Sequence, residues 1–143
     1  MSLFITGTDT GVGKTHTAVQ LLRLLRAAGT SCAGMKPICC GDRRDAELLV
    51  AAGSDGLTID DVNPVWMKTL AAPIVGSVME EVNIDIEQII AAFGALQARV
   101  DHVIVEGVGG WVVPIRPDYL LSDLAIQMKL PCPRGSAEPT RLP

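Results

Sequence analysis

The chain has 143 residues, of which 48% are hydrophobic and 20% charged, a composition typical of one globular domain rather than of a disordered tail or a fibre. Its net charge of −4, without a basic cluster, argues against a nucleic-acid or anionic-membrane partner. No apolar run approaches the ~18–20 residues that cross a bilayer, and the first residues lack the features of a signal peptide. We therefore expect a cytoplasmic protein without a membrane partner.

The first half of the chain alternates short β-prone runs with helical periodicity. Between residues 18 and 25, apolar side chains recur at helical spacing and leave arginines off the apolar stripe. The predicted elements are a strand over residues 3–6, a helix over 14–28, a strand over 31–35, a loop over 38–44 and a short helix over 45–52.

The second half has a less uniform pattern. Residues 53–83 are the least readable part, because Pro64 and Pro73 interrupt it and only residues 70–79 suggest a helix. Clearer patterns predict a helix over 84–99, a strand over 102–105 and a helix over 122–129. Strands that alternate with amphipathic helices predict an α/β fold with a mostly parallel sheet. Ligands of such sheets bind at the carboxyl ends of the strands.

A glycine-rich segment follows the first predicted strand directly. Residues 7–15 read Gly-Thr-Asp-Thr-Gly-Val-Gly-Lys-Thr and lead into a helix, which is the context of a phosphate-binding P-loop. Gly11 and Gly13 let backbone amides turn toward phosphate oxygens. Lys14 supplies a positive charge, and the Thr15 hydroxyl can ligate Mg²⁺. The loop is a variant, since five residues rather than four separate its first and last glycines.

Two further motifs follow predicted strands. Lys36 comes directly after the second strand, where its charge could hold a carboxylate, carbamate or phosphoryl group. Glu106 ends the last strand and begins the segment Glu-Gly-Val-Gly-Gly. An acid in that place beside a P-loop can reach its metal ion, and glycines let backbone approach a ligand closely. Asp45 is a weaker candidate, because an acid near a helix start is common and Asp42 competes with it.

These motifs, in this order, resemble those of dethiobiotin synthetases, the ATP-dependent carboxylases of biotin biosynthesis. The match runs from about residue 3 to residue 131, and the longer P-loop is itself a family trait. The resemblance implies a P-loop NTPase-like three-layer fold that forms a single domain over residues 1–131 and is incomplete at its C-terminus. The segments that carry it are residues 6–15, 34–37, 44–46, 62–64, 72–73 and 105–111.

The resemblance also implies a reaction and its partners. One amine of diaminopelargonic acid takes up CO₂ as a carbamate, ATP phosphorylates the carbamate, and the second amine closes the ureido ring of dethiobiotin. ATP and Mg²⁺ are the implied cofactors, the substrates are small molecules, and the implied assembly is a homodimer.

Site residues follow from the same resemblance. It implies catalytic roles for Lys36 and Lys14, and Mg²⁺ ligation by Thr15, Asp45 and Glu106. Nucleotide contacts are implied for Gly11, Val12, Gly13, Lys14, Thr15, His16, Asp45, Glu106, Gly107, Val108 and Gly109. Substrate contacts are implied for Thr10, Lys36 and Cys40. Cys40 departs from the hydroxyl residue that the family usually has, and a thiol is a weaker hydrogen-bond donor.

The end of the chain departs from the family pattern. Residues 131–139 contain three prolines, which argue against a central strand there. A reading one base over is compatible with a more apolar strand, so we hypothesise a one-base insertion near codon 131 that produced an aberrant or disordered tail over residues 132–143. On this hypothesis we expect weak or no turnover by the chain. The alternative is a natural short variant with a disordered tail.

Three other interpretations stay open at this point. An inactive fragment is one of them. A related P-loop amidoligase is the second, and an appended glutamine-hydrolysing domain would favour it. A partition-type ATPase is the third, but such proteins usually carry a lysine early in the P-loop, where this chain has Asp9.

Overall fold

The computed structural model describes residues 1–11, 13–132 and 134–135. In chain order its elements are β1 (Ser2–Gly7), α1 (Lys14–Ala27), β2 (Cys32–Met35), β3 (Ile38–Cys40), α2 (Arg44–Ala52), α3 (Ile59–Val62), β4 (Val65–Met67), α4 (Pro73–Met79), α5 (Ile86–Gln97), β5 (His102–Gly110), β6 (Pro114–Arg116), β7 (Tyr119–Leu120), α6 (Leu121–Gln127) and β8 (Arg134–Gly135).

The central sheet has four strands in the order β2-β5-β1-β8. All its pairings are parallel, with Phe4 opposite Val105 between β1 and β5 and Gly34 opposite Ile104 between β2 and β5. Parallel pairing brings the carboxyl ends of these strands to one edge of the sheet. The predicted α/β fold with a P-loop NTPase-like parallel sheet is therefore confirmed.

Helices cover both faces of this sheet and form two separate cores. On one face, α1 and α2 pack against β1, β2 and β5 through buried side chains such as Leu22, Leu49 and Ile104. On the other face, α5 and α6 pack through Phe93, Leu124 and neighbours. Because each helix presents its apolar stripe to the sheet, the arrangement has three layers.

Several predicted boundaries agree with local capping. The helix predicted over 84–99 begins at Ile86, because the Asp85 side chain accepts hydrogen bonds from the backbone N–H groups of Glu87 and Gln88. The helix predicted over 14–28 ends at Ala27, and Gly29 follows it with φ 82°. Glycine adopts this left-handed conformation without a steric cost, so it suits a helix end.

Other predictions were wrong in part. The predicted loop over 38–44 starts with strand β3, which is too short for its pattern to be recognised and is stabilised by parallel pairing with β4. The strand predicted to stop at residue 105 continues to Gly110, because Gly110 pairs with Gly7 after a register shift. The β6–β7 hairpin was not predicted. Most of the predicted tail over 132–143 lies outside the described residues, although the backbone of Arg134–Gly135 pairs with β1.

Within the described ranges, no helix is both long and apolar enough to span a bilayer.

Strand β2 passes close to two helices at Gly34. A Cβ atom on Gly34 would lie 2.7 Å from Leu49 Cβ and 3.0 Å from Leu22 Cδ1, and both leucines are fully buried. We expect Gly34→Ala to lower the free energy of unfolding by about 1–3 kcal/mol, measured by urea denaturation. The matched control is Gly94→Ala in α5, where a Cβ would meet nothing within 4 Å. This control should instead raise the free energy of unfolding by about 0.5–1 kcal/mol. A urea midpoint that does not change in Gly34→Ala would contradict the prediction.

Candidate functional site

The predicted motifs meet at the carboxyl ends of β1, β2 and β5. There they line one cavity with a volume of about 760 Å³. Gly107 is buried beside this cavity, and Val12 lies outside the described residues. The predicted site residues that line the cavity are Thr10, Gly11, Gly13, Lys14, Thr15, His16, Lys36, Cys40, Asp45, Glu106, Val108 and Gly109.

The glycine-rich segment forms a loop between β1 and α1. Gly11 has φ 76° and Gly13 has φ 91°, both in the left-handed region that favours glycine. Gly13 precedes the first residue of α1, so the helix N-terminus with its unpaired N–H groups faces the cavity. A loop of this kind is an anion-binding structure.

Lys14 is buried beneath the same loop. Its Nζ donates a hydrogen bond to the backbone oxygen of Asp9 at 2.6 Å. Burial and the nearby Lys36 charge lower the pKa of Lys14. Since like charges repel, the two lysines together favour an anion in the cavity between them.

Lys36 lies at the centre of the site and is 5% exposed. Its Nζ donates to Glu106 Oε1 at 2.8 Å, to Asp45 Oδ2 at 3.0 Å and to the backbone oxygen of Gly107 at 3.1 Å. These three bonds use all the donors of an ammonium group. Burial alone would lower the pKa of Lys36, but Glu106 and Asp45 outweigh it and raise the pKa above its ordinary value. Lys36 is therefore a cation at neutral pH.

Glu106 joins Lys36 to the P-loop. Its Oε1 also accepts a hydrogen bond from the Thr15 hydroxyl at 2.7 Å. Its Oε2 is buried and has no hydrogen-bond partner in the part of the chain that the structure describes. Asp45 on α2 is about half exposed. Burial raises the pKa of Asp45, but the charge of Lys36 and the hydrogen bonds from Lys36 and Thr15 together outweigh burial, so the pKa lies below its ordinary value. Asp45 thus presents a carboxylate to the cavity.

The donor atoms of Thr15, Asp45 and Glu106 fit Mg²⁺, which prefers hydroxyl and carboxylate oxygens. The unpartnered Oε2 of Glu106 gives a buried acceptor for such a cation. Among the described residues, no three His, Cys, Asp or Glu side chains form a group that could hold a metal ion. Magnesium bound here would therefore complete its shell with water and substrate phosphate, as is usual for this ion.

Several cavity residues were not predicted as site residues. Leu70 is 88% exposed in the loop before α4, and the helical pattern over residues 70–79 did not indicate that it lines a cavity. Only the pair 72–73 was noticed, as part of the resemblance. The additional lining residues are Asp9, Cys39, Asp42, Leu70, Ala71, Ala72, Pro73, Gly110 and Val113.

The adjacent cysteines of β3 provide a test of this wall of the cavity. Cys39 is 3% exposed, and burial raises its pKa to about 11. Burial also raises the pKa of Cys40. At pH 8 about one Cys39 thiol in a thousand is then the reactive thiolate. We expect iodoacetamide to leave Cys39 unmodified in the folded chain and to alkylate it fully in urea, measured by peptide mass spectrometry. Rapid alkylation without urea would contradict the burial of this thiol.

A family model described as an AAA domain matches residues 1–132. The chain belongs to this AAA family. Its relatives include proteins named ATP-dependent dethiobiotin synthetase. That of Akkermansia muciniphila is 46% identical over 130 residues, covering 91% of this chain and 61% of the relative. That of Aromatoleum aromaticum is 43% identical over 136 residues, covering 90% and 60%.

A third protein of that name, from Methanococcus vannielii, is 37% identical over 130 residues, covering 91% of this chain and 62% of the relative. These names confirm the resemblance that the motifs indicated. This member of the AAA family spans about 60% of the length of the relatives that it matches.

Proposed function

We propose that the chain carries the chemistry of an ATP-dependent ligase of biotin biosynthesis, which forms dethiobiotin from diaminopelargonic acid and CO₂. The main observation in support is the contact of the Lys36 ammonium with both Glu106 and Asp45, beside the P-loop threonine. A P-loop alone serves many reactions. A second buried lysine that faces the same anion-binding cavity suits a reaction in which a carboxylated substrate meets a phosphoryl group.

The proposed reaction has three steps. One amine of the substrate attacks CO₂ and loses a proton, which gives a carbamate. A carbamate oxygen then attacks the γ-phosphorus of ATP, so that ADP leaves and a carbamic-phosphoric anhydride forms. The second amine attacks the carbonyl carbon, phosphate leaves, and the ureido ring closes. Each step develops or moves negative charge, which fixed cations stabilise without reorganisation.

We assign the role of these fixed cations to two lysines. Lys36 holds the carbamate and the transferring phosphoryl group from one side. Lys14 acts from the P-loop side, where its bond to Asp9 keeps the ammonium at the loop. Backbone N–H groups around Gly11 and Gly13 bind the remaining phosphate oxygens.

We propose Mg²⁺ ligation by Thr15, Asp45 and Glu106, which would screen the charge of the phosphate oxygens. Nucleotide contacts are proposed for His16, Val108 and Gly109, which line the cavity, for Gly107 beside it and for Val12. Thr10 and Cys40 are proposed to contact the substrate, with the weaker Cys40 thiol in place of a hydroxyl.

A homodimer in the cytoplasm is also part of the proposal. The region of α4 exposes an apolar surface, and surfaces of this kind commonly mark protein contacts. Its members include Val75, Val78 and Met79 on α4 and Val82 just after it, exposed by 46%, 73%, 66% and 40%. A second copy of the chain would cover these side chains.

The test is whether ATP consumption requires both diaminopelargonic acid and bicarbonate. Phosphate release and dethiobiotin formation are measured together, with the Akkermansia muciniphila relative as the positive control. Product that appears only with both substrates supports the ligase. Phosphate release that does not depend on diaminopelargonic acid or bicarbonate favours a partition-type ATPase. Phosphate release that requires glutamine favours an amidoligase. No binding of ATP favours an inactive fragment, and these three outcomes would each contradict the proposed function for this chain.

A further inference from the structure

Asn63 lies outside the cavity, but its side chain is hydrogen-bonded to the backbone of Lys36. The side chain is 1% exposed, and its Nδ2 donates to the backbone oxygens of Lys36 at 2.8 Å and Val65 at 2.9 Å. Its Oδ1 accepts from Arg43 Nε at 2.9 Å. Both amide hydrogens and the amide oxygen are therefore used. A buried polar group that is satisfied in this way specifies one arrangement, because any other leaves partners unpaired.

Arg43 connects Asn63 to the start of α2. Besides the bond to Oδ1, its guanidinium donates to the backbone oxygen of Asn63 at 2.9 Å and to Asp60 at 3.0 Å. The guanidinium also lies 5.1 Å from the centre of the Trp66 ring. Arg43 is the residue directly before α2, two positions before Asp45. Its side chain thus anchors the residue that directly precedes the helix carrying Asp45.

Residues 36–45 form a segment, which includes strand β3 and the start of α2, and the side chains at its two ends meet in the cavity, where Lys36 Nζ lies 3.0 Å from Asp45 Oδ2. Asn63 is hydrogen-bonded to the backbone at the first end, and Arg43 is the residue just before Asp45's helix at the second end. The two side chains are hydrogen-bonded to each other. We propose that Asn63 and Arg43 are positioning residues that set the separation between the Lys36 ammonium and the Asp45 carboxylate. The catalytic value of that separation rests on the proposed function, but the positioning itself does not.

The Asn63→Ala variant is expected to fold with residues 36–45 held less tightly. Two backbone bonds beside it do not involve the amide, from the Lys36 N–H to Val62 at 2.9 Å and from the Val65 N–H to Pro37 at 3.2 Å. Parallel pairing of β3 with β4 also stays in place. Arg43→Ala is the second variant, since it removes the other half of the pair at a residue outside the two hydrophobic cores.

The experiment measures acylation of individual lysines by an N-hydroxysuccinimide ester, on the whole 143-residue chain, by peptide mass spectrometry. In the unaltered chain Lys36 should react slowly, because it is buried and bonded to two carboxylates. Asn63→Ala and Arg43→Ala should raise the rate at Lys36 about tenfold relative to the exposed Lys129 in the same sample. General unfolding would also raise the rate at the buried Lys14, so a rise at Lys36 without a rise at Lys14 isolates the local change.

Thr58→Ala is the matched control. Thr58 caps α3 by accepting from the Asp61 N–H, so its loss destabilises the same segment without touching Asn63 or Arg43. The Lys36 rate should then stay within about twofold of the unaltered chain. A Lys36 rate that is unchanged in both Asn63→Ala and Arg43→Ala, or raised equally by Thr58→Ala, overturns the positioning role.

Calorimetric titration with MgATP separates this inference from the proposed function. If the unaltered chain binds no MgATP but Lys36 responds to Asn63→Ala, the positioning role stands and the proposed function fails. If MgATP binds and Lys36 does not respond, the positioning role fails while the nucleotide binding that the proposed function requires is retained.

Discussion

On the proposed function, Lys36→Met is expected to reduce any ATP-dependent dethiobiotin formation by the chain about 10²–10³-fold, because it removes a fixed cation from the place where charge is proposed to develop. Methionine keeps most of the length of the side chain and removes its three donors to Glu106, Asp45 and Gly107. The measurement compares initial rates of dethiobiotin formation and phosphate release under saturating substrates. Because the effect concerns the transition state, we expect the loss in kcat rather than in KM alone.

Lys129→Met is the control for this rate measurement. Lys129 is exposed and lies after α6, outside the cavity, and its replacement by methionine removes one positive charge, as Lys36→Met does. It should leave the rate within about twofold of the unaltered chain, as is usual for surface substitutions. Turnover near the normal rate in Lys36→Met would rule out the role assigned to Lys36.

The chain's pattern was sufficient to predict the main parts of this site. Lys36 and Glu106 directly follow apolar runs that form parallel strands, and the P-loop follows a third run. Since parallel strands bring their carboxyl ends to one edge, motif order and strand identity together predict that these residues meet. Neither step requires knowledge of how the helices pack.

Asp45 and Asn63 show where this reasoning ends. The sequence could not separate Asp45 from Asp42, because the loop geometry decides which acid reaches Lys36. In the structure Asp45 contacts Lys36, whereas an Asp42 carboxylate oxygen accepts from the backbone N–H of Arg44. Asn63 lies in the least readable part of the chain, and its bond to Lys36 spans 27 positions. Such a contact depends on tertiary packing, which leaves no periodic trace.

The strand β5 illustrates a second limit. Residues 106–110 contain three glycines, which disfavour a strand by local propensity. The strand nevertheless continues because its backbone pairs with β1, and the lack of side chains permits a close approach. A Cβ atom on Gly110 would lie 2.9 Å from the backbone oxygen of Thr8. The same glycines that weakened the strand pattern therefore let β5 lie against the P-loop.

The pairing of Lys36 with Glu106 also predicts a large effect on stability. Lys36→Met leaves the Glu106 carboxylate 1% exposed, with the Thr15 hydroxyl as its one remaining hydrogen-bond partner among the described residues. A buried charge that loses its partner costs about 3–5 kcal/mol. We expect this decrease in the free energy of unfolding by urea denaturation at pH 7, without nucleotide or metal.

The double variant Lys36→Met with Glu106→Gln separates the charge effect from simple loss of packing. Glutamine keeps the shape of Glu106 and removes its charge, so most of the lost stability should return while turnover stays low. A double variant as unstable as Lys36→Met alone would show that the buried carboxylate is not the source of the cost.

The raised pKa of Lys36 determines how this stabilisation depends on pH. The folded pKa of Lys36 is raised above its ordinary 10.5, so the stabilisation is fully present below that value and is lost only as pH rises through the folded pKa. The difference in the free energy of unfolding between the unaltered chain and Lys36→Met should therefore stay constant from pH 7 to about 9 and decrease above about 10.5.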